Sequence, residues 1–131
     1  MSLTLSLDFE YKTSIEKLWS ALTDSDKLAQ WILSNDFKPI VGHQFQFRSE
    51  PNEWWNGIID CEVLIVDEPN RLSYTWASGD EQNTVTWTLQ DLGNGMVKLH
   101  FEQTGISNKQ ALGGARGGWI GMHDELKKLV E

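Results

Sequence analysis

The sequence predicts a two-layer α+β domain, and three observations predict it. Apolar and polar residues alternate strictly at the start of the chain, short strand-like runs separated by turn residues fill its middle, and a long helical repeat closes it. One half-buried strand, two small helices, a strand meander and one long helix can bury their apolar sides only by laying helix on sheet. A curved antiparallel sheet wrapped around a long C-terminal helix is the expected form.

The first strand is explicit. Leu3, Leu5, Leu7, Phe9 and Tyr11 are apolar, while Thr4, Ser6, Asp8, Glu10 and Lys12 between them are polar. A period of two is a strand with one buried face. Thr13 and Glu16 then have the spacing of a capping box, and Ile15, Leu18, Trp19 and Leu22 follow at helical spacing. Asp24, Ser25 and Asp26 end that helix and suit the start of a second short one carrying Leu28, Trp31 and Ile32.

From His43 onward the chain reads as strands over 43–49, 57–67, 71–77, 83–91 and 96–104. Pro51-Asn52, Glu68-Pro69-Asn70 and Ser78-Gly79-Asp80 interrupt the runs, and Gly93-Asn94-Gly95 is a hairpin signal. Alternation assigns Phe45, Phe47, Leu72, Tyr74, Trp76, Val85, Trp87, Leu89, Val97, Leu99 and Phe101 to the inner face. The run at 57–67 is apolar on both faces toward its end, so its orientation stays open. In the last segment Ser107 and Gln110 have capping-box spacing, and Leu112, Ala115, Trp119, Met122, Leu126 and Leu129 recur at spacings of three and four. A helix of about 22 residues is ~33 Å long, enough to cross a domain whose radius of gyration is ~14 Å. A start only near Gly118, with the preceding glycines in a loop, is the alternative.

Composition narrows the function. A chain of 131 residues fits one domain, 1–131. Its net charge of −8 repels phosphate backbones, so nucleic acid is not an expected partner. The single cysteine, Cys61, excludes an internal disulfide framework. Apolar runs stop at Val63–Val66, far short of the ~20 residues that span a bilayer, and the N-terminus lacks a basic and then apolar leader. A cytoplasmic domain is expected. Alternating strands leave no second apolar face to bury, which predicts a monomer or weak dimer.

The seven tryptophans are unusual. Trp76, Trp87, Phe101, Trp119 and Met122 face the space between sheet and helix, where rings and a flexible thioether suit either a core or an irregular apolar pocket. Gly113, Gly114, Gly117, Gly118 and Gly121 thin the helix, which permits close approach or leaves room. Trp54-Trp55, between turn signals, suits a pocket rim or the closure of one sheet end. Tyr74 and His123 are the polar candidates, and an imidazole four residues after Trp119 suits hydrogen bonding or proton transfer. Asp60 and Glu62 share a strand face, for which a solvated face is the simplest account. Cys61 has no partner for nucleophilic catalysis, His43, His100 and His123 lack metal-ligand spacing, and Gly113–Gly118 lacks the ending of a phosphate loop. No cofactor, metal or catalytic residue is expected.

Several motifs together resemble one family. They are Ala21-Leu22-Thr23-Asp24 with Leu28 and Trp31, Gly42 before Gln44–Arg48, Glu68-Pro69-Asn70-Arg71-Leu72, Tyr74-Thr75-Trp76, Gly118-Trp119, Leu126-Lys127 and Val130-Glu131. The chain resembles the Aha-type relatives of the activator of heat-shock protein 90 ATPase, within the START-like, birch-allergen-like SRPBCC superfamily. The resemblance implies a helix-grip fold enclosing a hydrophobic cavity, and it supplies no shared catalytic motif. The eukaryotic activator has a further N-terminal domain for which this chain has no room, so a chaperone partner is the weaker implication. His123 stands where the family usually has leucine. The leading expectation is a protein that binds a hydrophobic small molecule or lipid, with Trp54, Tyr74, Trp76, Trp87, Phe101, Trp119, Met122 and His123 lining the cavity. A cyclase- or hydrolase-like enzyme using the same cavity, and a co-chaperone-like interaction module, are the alternatives.

Overall fold

The strict alternation of the first strand finds its partner far along the chain, in the last strand before the long helix. The computed structural model describes residues 2–131. In chain order these form β1 (Leu3–Lys12), α1 (Ile15–Thr23), α2 (Ser25–Trp31), β2 (Ser34–Asn35), β3 (Gln44–Arg48), β4 (Ile58–Asp67), β5 (Arg71–Ser78), β6 (Glu81–Gly93), β7 (Met96–Ile106) and α3 (Lys109–Val130). One antiparallel sheet of seven strands has the order β1-β7-β6-β5-β4-β3-β2. Register shifts at Leu3/Leu5, Val63/Ile65 and Asp91/Gly93 bend it around the helices. This is the expected α+β helix-grip architecture, with α3 packed on β1, α1 and α2. No helix among the described residues is long and apolar enough to cross a membrane.

The inner face follows parity. Phe45, Phe47, Leu72, Tyr74, Val85, Trp87, Leu89, Val97, Leu99 and Phe101 are all buried. The open question at 57–67 has a local answer: Ile59, Cys61 and Val63 point inward, and the shift before Ile65 leaves Leu64 and Ile65 partly exposed. The two-residue β2, paired with β3 through Ser34↔Arg48 and Asn35↔Phe47, has no alternation to announce it.

Two caps sit one residue later than the spacing predicts. Ser14, not Thr13, caps α1 by accepting from Lys17 N, and Asn108, not Ser107, caps α3 by accepting from Ala111 N. Ser107 bonds Glu81 instead, through its backbone N–H (2.8 Å) and its hydroxyl (2.6 Å). Asp24 caps α2 as expected.

The long helix begins at Lys109, so the glycines lie within it. They do not thin its sheet-facing side. Gly113, Gly114, Gly117, Gly118 and Gly121 are exposed, and a Cβ on any of them would meet nothing within 4 Å. The buried stripe is Trp119, His123, Leu126 and Val130, with Leu112, Ala115, Met122 and Leu129 half-buried beside it. From Lys109 to Gly118 no side chain is buried.

Candidate functional site

Parity on β5, β6 and β7 brings the aromatic residues into rows beneath α3. Leu72, Trp87 and Phe101 form one cross-strand row, and Tyr74, Val85 and Gln103 form the next. Trp119 comes down from the helix onto Phe101, Trp76 and Trp87, with ring centroids 4.4, 4.8 and 5.7 Å apart. In this structure the rings themselves fill the interior between sheet and helix. Of the eight expected lining residues, Tyr74, Trp87, Phe101, Trp119 and His123 are buried there, and Trp76 and Met122 are half-buried against them.

Trp54 lies apart, 88% exposed in the loop between β3 and β4. That loop is held by Asn52, whose Oδ1 accepts from the N–H groups of Trp54 (2.8 Å) and Trp55 (3.0 Å). Gly57 closes it at φ +78°, where a Cβ would collide with Ser49 O, so only glycine fits. Trp55 turns inward against the core, and its indole nitrogen is buried without a partner.

His123 is fully engaged. Its Nε2 accepts from Trp87 Nε1 (3.2 Å), so its Nδ1 carries the hydrogen and donates to Trp119 O (2.7 Å). Phe9 stacks on the imidazole at 4.4 Å. Burial pushes its pKa down to about 4, so the ring is neutral at pH 7 and has no free nitrogen to offer a substrate.

Tyr74 is the opposite case. Its ring packs among Phe37, Phe45, Phe47 and Trp87, yet its hydroxyl is buried with no hydrogen-bond partner. Burial raises the phenol well above its usual pKa, so the group stays protonated.

A buried polar chain runs beside these rings. Trp119 Nε1 donates to Gln103 Oε1 (2.7 Å), Gln103 Nε2 donates to Asn83 Oδ1 (2.7 Å), and Asn83 Nδ2 donates to Glu81 Oε1 (3.2 Å). The hydrogen bonds from Ser107 and Asn83 hold the Glu81 carboxyl below its usual pKa. Asn83 and Gln103 do not figure among the sequence candidates. The signal was present: counting back two from Val85, or on two from Phe101, reaches them on the inner face.

The remaining candidates are separate from this centre. Asp60 accepts from Gln46 Nε2 (2.8 Å) and Glu62 from Gln44 Nε2 (3.3 Å) on the outer face, beside an open polar groove of about 710 Å³. His100 bridges Asp8 (2.8 Å) and Glu102 (3.1 Å), which raise its pKa. Burial pushes the Cys61 thiol pKa up, the wrong direction for a nucleophile. No group of His, Cys, Asp and Glu among the described residues has metal-holding geometry.

Comparison with known proteins supplies a family. The family profile described as activator of Hsp90 ATPase homolog 1-like protein matches residues 12–131. A crystal structure of a protein from Mesorhizobium loti is 36% identical, with a TM-score of 0.87, over 97% of this chain and 96% of that one. A Bacillus halodurans protein is 25% identical, with a TM-score of 0.82, over 98% and 97%. The Aha1 dimer from Colwellia psychrerythraea is 19% identical, with a TM-score of 0.85, over 98% and 96%, and shows likeness of fold. None of the curated proteins compared with the chain matches it.

Proposed function

The chain belongs to the activator of Hsp90 ATPase homolog 1-like family, and from that premise we propose that it binds a small hydrophobic molecule, aromatic or lipid-like, between its sheet and α3. The observation that carries this reading is the orphan hydroxyl of Tyr74. A buried polar group without a partner costs about 1–3 kcal/mol, and nearly all such groups in native proteins find one. A ligand arriving with a polar atom would satisfy it.

Access is consistent with the helix above. From Lys109 to Gly118 α3 buries no side chain, and glycine is the weakest helix former after proline. This half is lightly anchored, through the half-buried Ala111, Leu112 and Ala115, and segments with few buried contacts open most readily. Binding then requires the rings to part, with Trp76, Trp87, Phe101, Trp119 and Met122 forming the walls.

An enzyme reading has less to stand on, because His123 spends both nitrogens inside the protein. The Colwellia relative is described as a dimer. For this chain we propose a cytoplasmic protein, and a monomer or weak dimer because the outer faces of β6 and β7, with Thr84, Lys98 and Thr104, are polar.

Fluorescence titration with N-phenyl-1-naphthylamine tests the binding reading. Saturable binding at one site, competed by whatever small molecule copurifies under native mass spectrometry, is the expected result. Absence of saturable binding overturns it.

A further inference from the structure

The inner face of the sheet is apolar except at one end. Beyond the row of Tyr74, Val85 and Gln103 lies the pair Trp76 and Asn83. Asn83 is 6% and Gln103 4% exposed, so two primary amides sit inside where alternation places apolar residues. Trp76 and Trp119, 4.8 Å apart, provide aromatic surface beside them.

The orientation of both amides is fixed from the two ends of their chain. An indole N–H only donates, so Trp119 Nε1 requires the oxygen of Gln103, which it meets at 2.7 Å. Gln103 therefore turns its NH₂ toward Asn83 Oδ1, also at 2.7 Å. An ionised carboxylate only accepts, so Glu81 takes the NH₂ of Asn83 at 3.2 Å. Each amide nitrogen carries two hydrogens and donates one of them within this chain. One N–H on each of these two buried residues of adjacent strands therefore has no protein acceptor, and an unpaired donor is less well tolerated than a carbonyl with one vacant lone pair.

Resting on the reading that the interior binds an apolar molecule, we infer that Asn83 and Gln103 form the specificity-determining polar end of that site and select a neutral carbonyl oxygen on an otherwise apolar ligand. A ketone, ester or amide oxygen offers two lone pairs to two donors. A hydrocarbon of the same shape leaves both donors unpaired, and sites built to hydrogen-bond reject such analogues strongly. A carboxylate would have to give up its hydration on entering the interior, where these amides offer no compensating positive charge, and burying an unpaired charge is costly.

Three probes of one shape test this by calorimetry: 2-acetylnaphthalene, 2-isopropylnaphthalene and 2-naphthoate. The ketone is expected to bind about tenfold tighter than the hydrocarbon, the difference one well-made hydrogen bond supplies, and tighter than the carboxylate. In Asn83→Leu the ratio of ketone to hydrocarbon affinity should shrink. Should that variant fail to fold, the side-chain amide NMR signals of Asn83 and Gln103 decide in the unmutated protein. They should move with the ketone and not with the hydrocarbon. Equal affinity for ketone and hydrocarbon, tightest binding of naphthoate, a preference undiminished in Asn83→Leu, or amide signals that ignore the ketone would each overturn the inference while leaving an interior site standing. No saturable binding of any probe overturns the interior site as well.

Discussion

Trp87 donates its indole hydrogen to Nε2 of His123 across 3.2 Å, and this one bond sets the tautomer of a histidine at the centre of the aromatic core. The other nitrogen must then carry its hydrogen, which it gives to Trp119 O at 2.7 Å. The rings of Phe9, Trp31, Phe101 and Trp119 surround the imidazole. The bond therefore ties α3 to β6 through a group that must stay neutral.

That neutrality predicts a pH dependence. The folded pKa of His123 is about 4, below the ~6.5 of an unfolded histidine. Between these values the unfolded chain binds the proton that the folded chain refuses, so stability is full above pH 6.5 and falls as pH drops toward 4. The full shift corresponds to a loss on the order of 3 kcal/mol. Urea unfolding at pH 7 and pH 5 should show about 2 kcal/mol of it, the remainder being lost below pH 5. His123→Leu should flatten the decline while lowering stability at pH 7 by about 1–3 kcal/mol, because Trp87 Nε1 loses its acceptor. An unchanged pH profile in the variant would refute the assignment.

Tyr74→Phe should act with opposite signs on folding and binding. Removing a hydroxyl that is buried without a partner should stabilise the free protein by on the order of 1 kcal/mol. A ligand that uses the hydroxyl should bind the variant more weakly. Thermal unfolding and calorimetry on the same preparations separate the two effects.

Trp119→Ala removes contacts with Trp76, Phe101 and Trp87 and the indole bond to Gln103. A loss of about 3–5 kcal/mol is expected in chemical denaturation, as for other buried tryptophans. Trp54→Ala, at an 88% exposed position, is the control and should stay within about 0.5 kcal/mol of the parent.

Gly114→Ala and Gly118→Ala place methyl groups in open space on the exposed side of α3. Each should stabilise by about 0.4–1 kcal/mol by restricting the unfolded chain. If the first half of α3 must open to admit a ligand, the double variant should also slow probe association in stopped-flow. A higher melting temperature with unchanged association would show that access lies elsewhere.

Much of this architecture is legible in the sequence, because a single parity count along each strand determines its buried face. Val85, Trp87 and Leu89 announce β6, and the same count continues to Asn83, where attention to hydrophobicity alone stops. Caps are harder to read. Thr13-Ser14 and Ser107-Asn108 each put two capping side chains next to each other, and spacing cannot choose between neighbours when backbone direction decides. The glycines of α3 are legible in number but not in direction. The buried stripe passes through His123 and Val130, which turns every glycine outward. Whether the aromatic residues fill the interior or stand apart depends on ring orientation, which no periodicity encodes.

The pairing of the first strand with the seventh bears on how the chain acquires its shape. Leu3 meets Ile106 and Lys12 meets Met96, while Tyr11 reaches His123 O and Lys12 N meets Glu131 Oε2. None of these contacts exists until almost the whole chain is available. The β4–β5 and β5–β6 hairpins can close early, but β1 must wait, with Leu5 and Leu7 uncovered. Contacts between distant parts of a chain slow folding, toward the millisecond-to-second range typical of domains dominated by such pairings. During synthesis the first strand emerges long before its partner. In that interval an alternating apolar edge is free to pair with a neighbouring chain, and the charges of Asp8, Glu10 and Lys12 on its other face oppose that pairing.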